Sequence, residues 1–275
     1  MAPSLPPIRP EDEAVAVKLR PHGAFDPSAV EHHDPVRREL LLRLGDDALV
    51  LGQRVSEWCG HGPVLEVDIS LANLALDLIG QATLLLGEAG DGDQLAFHRD
   101  VLDFRNCLLV EQPNGDFAQT IARHLLYTTW QHMFLQRLTQ SSDQFLREFA
   151  HKAVKEVAYH REIASEWVVR LGDGTEESTR RMAEGLDWNW RFMPELFDVD
   201  AGLQSAIDAG LAPDPREFED EYRSAIAAVL ADAQLEAPTD QRPILGGRTG
   251  HHSEHLGHLL AVMQYLPRTY PDAVW

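Results

Sequence analysis

The chain has 275 residues, 44% of them hydrophobic, which is enough to bury one sizeable core. Its 44 acidic residues outnumber 24 Lys and Arg, for a formal net charge of -20, so nucleic acid and anionic membranes are not expected as partners. The two cysteines, Cys59 and Cys107, lie far apart and the opening "MAPSLPPIRPEDE" has no apolar signal core, so a reducing cytoplasm is the expected compartment.

Residues 1–34 carry six prolines and no helical period, which predicts a flexible Pro-rich leader ahead of a single helical domain over 35–275. From Pro35 onward, Val36, Leu40, Leu44, Ala48, Leu51, Val55 and Trp58 recur at steps of three and four. Arg37, Arg38, Arg43, Asp46 and Arg54 fall between them, so an amphipathic helix is expected, ended by Gly60 and Gly62-Pro63. A second helix, about 67–86, is apolar nearly all round and is expected in the middle of the bundle. Glu66, Asp68, Asn73, Asp77 and Gln81 in the same stretch argue against a membrane span. Gly90 and Gly92 mark a turn, and a shorter helix is expected over 94–109. "EQPNGD" (111–116) is loop chemistry with Asp116 as an N-cap. Long helices then follow over about 117–140 and 141–172, with further helices over 175–196, 201–209, 215–232 and 250–266. No useful strand pattern appears, so the fold class is all-α: a bundle of four long helices with short helices packed outside.

Function in such a bundle sits on polar residues that face inward, because burying them unpaired is costly. The second helix carries Ser70, Asn73, Asp77 and Gln81 on one face, and the third carries His124, Thr128 and Gln131. In the fourth, "KEVAYH" (155–160) places His160 on the apolar stripe between Val157 and Ala164. Carboxylate-bridged di-iron bundles take one Glu from each of two helices and Glu-x-x-His from each of the other two. Here Gly80 stands three residues after Asp77, and Val157 three residues before His160. The one literal Glu-x-x-His, Glu148 to His151, faces another way, and the first helix offers no carboxylate on its apolar stripe. Of the ligand set only Asp77 and His160 are in place, so they are read first as a satisfied buried pair, with Glu156 pairing with Lys152 or His160.

"GHHSEHLGH" places His251, His255 and His258 at helical steps on one face, an adventitious zinc or nickel possibility. The plainer reading is a solvated first helical turn with Glu254 as a favourable acid. "LGDGTEES" (171–178) reads as a helix end and turn rather than a nucleotide loop.

Five stretches, "EWCGHGPVLEVDISLANLALDLIGQA" (57–82), "LLVEQPNGDFAQTIAR" (108–123), "KEVAYH" (155–160), "WRFMPELFD" (190–198) and "HSEHLGHLLAVMQYL" (252–266), resemble in order the PaaC-type subunits of bacterial phenylacetyl-CoA epoxidases. The resemblance spans roughly 38–270 and implies a ferritin-like fold. It implies a structural subunit without cofactor of its own, paired with a paralogous catalytic subunit that holds the di-iron centre. A reductase component with flavin and iron-sulfur would deliver electrons from NADPH. In the catalytic paralogue the position of Val157 would be Glu and that of Gly80 would be His, so Asp77, Gly80, Val157 and His160 become degenerate di-iron positions. Candidate partner surfaces are the exposed faces of the first helices and the aromatics Trp188, Trp190, Phe192 and Phe197; a homodimer is a further expectation. The competing readings are an autonomous di-iron or di-manganese oxidoreductase with an atypical ligand set, and a histidine-rich storage protein.

Overall fold

The computed structural model describes residues 34–239, 241–271 and 273. The leader expected over 1–34 lies, apart from Asp34, outside the described residues. No strand occurs among them.

Asp34 caps α1 (Pro35–Ser56) by accepting from the Val36 N–H, and Pro35 takes the first helical position, where no N–H is needed. α2 (Leu65–Ala89) returns alongside it. Gly45 of α1 abuts Leu86 and Gly52 abuts Ile79, so the two run antiparallel. The single helix expected over 94–109 is broken into α3 (Gly92–Phe97), a 3-10 turn (Val101–Asp103) and α4 (Leu108–Glu111). Asp116 does cap α5 (Phe117–Leu138), accepting from the Gln119 N–H, and Asp143 caps α6 (Gln144–Gly172) likewise. Phe117 packs on Trp167 and His124 on His160, so α5 and α6 are antiparallel. Asp77 meets His160 and Gln81 meets Glu156, so α2 opposes α6 and runs parallel to α5. Parallel neighbours need a long return, and residues 90–116 supply it. This up-down-down-up order with one crossover is the connectivity of ferritin-like bundles.

Short helices clad the bundle: α7 (Glu176–Trp190), a 3-10 turn (Met193–Phe197), α8 (Ala201–Asp208), a 3-10 turn (Pro215–Phe218), α9 (Glu219–Asp232), α10 (Glu254–Met263) and α11 (Tyr265–Thr269). They shift the centre of the molecule. α5 has 18 of its 22 residues buried and is the central helix. α2, expected there, has 10 of 25 buried. It packs Leu71, Leu74, Leu78 and Leu85 inward but turns Leu65, Ile69, Leu76 and Leu84 to solvent, Leu76 at 68% exposure. α2 is also the one helix among the described residues long and apolar enough to cross a bilayer by length and composition. The side expected to be solvated on α1 is covered too: Arg43, Asp46, Asp47 and Arg54 are buried beneath the crossover and the C-terminal segment.

Candidate functional site

The seam between the α1–α2 and α5–α6 hairpins holds the polar residues singled out by periodicity. The imidazole of His160, fully buried, places Nε2 at 3.1 Å from Asp77 Oδ2; the Asp77 side chain stays 40% exposed. Burial depresses the His160 pKa, and the Asp77 carboxylate only partly offsets this, so the ring is neutral near pH 7. A neutral ring that donates from Nε2 leaves Nδ1 bare, and Nδ1 has no partner. His124 of α5 stacks on this ring with centroids 5.6 Å apart. Both of its nitrogens are buried without a partner, and burial, then His160 and Arg123, push its pKa well down. Thr128 turns back to its own helix, donating to the His124 carbonyl at 2.7 Å.

A second polar chain runs outward from the core. Gln131 donates to Gln81 at 3.1 Å, Gln81 donates to Glu156 at 3.1 Å, and Lys152 lies 3.7 Å from Glu156. The Lys152–Glu156 pairing is the one expected at i, i+4, and Glu148 and His151 are exposed, also as expected. Of the expected polar stripe on α2, Gln81 is buried, Ser70 and Asp77 are half-buried and Asn73 is exposed. Gly80 faces a groove of about 110 Å³ between α2 and α6, where an added Cβ would meet nothing within 4 Å. Val157 is fully buried and fills its part of the seam with hydrocarbon.

These residues do not fit a di-iron centre. Two such ions need about six protein ligands, mostly carboxylates. Here one carboxylate and one imidazole meet across the seam, a second imidazole stacks rather than converges, and Glu156 is held by Gln81. Among the described residues no three His, Cys, Asp or Glu side chains are grouped to hold a metal ion. The histidine face expected near the C-terminus is not formed either. α10 begins only at Glu254, so His251 lies before the helix, bonded to Thr249 at 3.1 Å. His255 and His258 lie on the first turns of α10, and the His252 side chain is buried against Glu111 instead.

Buried carboxylates do exist where periodicity did not place them, Asp46 and Asp47 among them, which corrects the expectation that the first helix puts none on its apolar stripe. Asp47 accepts from Arg248 Nη2 at 2.8 Å, the Cys107 N–H at 2.8 Å and the Tyr127 hydroxyl at 3.2 Å. Asp46 takes Arg99 and the Arg105 N–H. Glu195 takes the N–H groups of Leu108 and Gly246 at 2.6 and 2.9 Å. Glu111 and His252 have fully buried side chains 2.7 Å apart. The second nitrogen of His252 faces the Phe104 carbonyl at 3.1 Å, so the ring bridges Glu111 and the backbone of the crossover. All four carboxylates are occupied by arginine, histidine or backbone N–H groups. They anchor the crossover and the C-terminal segment and leave no open position for a metal. The local signal was the pair Asp46-Asp47 in one turn of α1, but only the later chain that covers it makes it interior.

Residues 27–275 match the family described as Phenylacetic acid catabolic protein. The chain is 45% identical over 240 residues to a protein of Escherichia coli strain K12 named as a subunit of 1,2-phenylacetyl-CoA epoxidase, covering 85% of this chain and 97% of that one. Family match, all-helical topology and the ordered sequence stretches agree: the chain belongs to the phenylacetic acid catabolic protein family.

Proposed function

We propose that this chain is a structural, non-catalytic subunit of a phenylacetyl-CoA 1,2-epoxidase working in the cytoplasm in aerobic phenylacetate breakdown. It pairs with a paralogous ferritin-like subunit that carries the di-iron centre, and a reductase with flavin and iron-sulfur centres brings electrons from NADPH. The observation that carries this reading is the seam itself: Asp77 meets His160 alone, Val157 occupies the neighbouring buried position, and no third ligand converges. The name of the Escherichia coli relative supports the assignment to this enzyme. The apolar outer face of α2, with Leu65, Ile69, Leu76 and Leu84, supports a contact with helices of the partner, since obligate interfaces are large and apolar. The chain's part in the reaction is then to hold its partner in shape.

Metal analysis tests this. The chain purified alone from iron-rich medium is expected to be iron-free, and iron is expected only in a complex with the catalytic paralogue. About two irons bound to the lone chain would restore the alternative, an autonomous di-iron oxidoreductase.

A further inference from the structure

A chemically mixed cavity lies away from the seam and shares no residue with its groove. It holds about 340 Å³ and sits where the end of α7 meets α4, the segment around 244 and the start of α10. The Ile244 N–H donates to the Arg191 carbonyl at 2.9 Å, which fixes that segment over the end of α7. One wall is apolar: Leu108, Trp188, Phe192, Ile244 and Leu245. Trp188, Ile244 and Leu245 are each more than 40% exposed, unusual for large apolar side chains gathered at one opening.

The other wall is polar and carries one arginine. In a chain of net charge -20 the lining contains no Asp or Glu but includes Arg191, His251 and His255. Arg191 Nε is buried without a partner. Its guanidinium pairs with Asp187 at 3.9 Å and lies 5.9 Å from the Trp188 ring centroid, while Asp187 also accepts from Gln241 at 2.5 Å, so Nε is the donor left unpaired. Ser253 stands at the N-cap of α10 but makes no side-chain cap bond, and its hydroxyl is buried without a partner. Ser253 and His255 at the start of this ten-residue helix line the cavity, so the positive end of its dipole lies beside it. The one carboxylate beneath the floor, Glu111, is already held by His252 and the Ser253 N–H.

From these features we infer that the cavity binds a small carboxylate with an aromatic body: the anion on Arg191 and Ser253, the ring against Trp188 and Phe192. Its volume is at the low end of the range of about 300–1,000 Å³ for ligand sites, enough for an aryl-substituted short acid and too small for a whole nucleotide thioester. Phenylacetate is the probe, titrated into the full chain with tryptophan fluorescence and calorimetry. Saturable binding with a dissociation constant of about a millimolar or below is expected, the range open to a ligand of this size. Phenylacetamide, with the same shape and no charge, should bind at least about tenfold more weakly, because it forfeits the charge-assisted bonds. Arg191→Gln should weaken phenylacetate by a similar factor. Trp188→Ala should remove the fluorescence change while leaving the helical circular dichroism intact. No saturation up to about 10 mM would overturn the inference, as would equal binding of acid and amide, or full competition by inorganic phosphate alone. Iron content of the chain does not enter this test, so its failure is distinct from failure of the proposed pairing.

Discussion

His124 is a buried imidazole with no hydrogen-bond partner on either nitrogen, in a core that satisfies most of its polar atoms. Its charged form is disfavoured by burial, by His160 and by Arg123, so its folded pKa lies well below 6.5. His160 moves the same way, with Asp77 and Glu156 opposing. The unfolded chain therefore binds protons below pH 6.5 that the folded chain refuses, and stability falls as pH drops from there. The variant His124→Leu removes one such group. Urea unfolding at pH 7.5, 6.5 and 5.5 should show a shallower loss for the variant, by up to about 1.4 kcal/mol per pH unit. Identical slopes would mean that the ring is hydrated or protonated in the native state. Periodicity found His160 and His124 because both fall on buried stripes of long helices. Whether their nitrogens point at each other or past each other depends on helix rotation, which spacing does not encode.

Among the elements, α1 and α2 form the closest pair. Gly45 and Gly52, one heptad apart, let the backbones approach: an added Cβ at Gly52 would lie 2.9 Å from Ile79 Cδ1 and 3.2 Å from Leu78 Cβ. Replacing an interior helical glycine with alanine ordinarily stabilises by about 1 kcal/mol. Here overpacking opposes it, at about 1–3 kcal/mol, and Leu78 Cβ has little room to yield. Gly52→Ala is therefore expected to lower stability in thermal unfolding rather than raise it. α2 presents its other face outward. Leu76→Arg should leave the fold intact, because the side chain is exposed, yet abolish co-purification with the catalytic paralogue. Retained complex would move the interface elsewhere, the aromatic turn around Trp188 being the next surface to test. The apolar run of α2 was plain in the sequence. Its position at the outside was not, because composition alone does not tell a helix covered on one face from one covered all round.

At the scale of the molecule, one arginine joins distant segments. Arg248 reaches Asp47 from 201 residues away and also donates to the carbonyls of Arg43 and Arg105. Burial works against its charge, but Asp47 holds its pKa above the usual arginine range. Arg248→Met leaves Asp47 buried and uncompensated, which is expected to cost about 3–5 kcal/mol in denaturant unfolding. The double variant with Asp47→Leu should recover much of that loss, since removing both charges leaves no unpaired ion. Non-additive behaviour of this pair would establish that the C-terminal segment is part of the core rather than a dispensable cover.

The four long helices and the Asp116 cap were set by local chemistry and could be read from the sequence, whereas the helix expected over 94–109 is broken in three. A cap depends on one side chain and its nearest amides, and a long apolar stripe on residues of one segment. Only the tertiary structure decided that α5 is the centre, that Asp46, Asp47, Glu111 and Glu195 are interior, and that Arg191, Ser253 and Trp188 share one cavity. Those facts depend on which remote segments cover which faces, and periodicity reports that a face is apolar without naming what meets it.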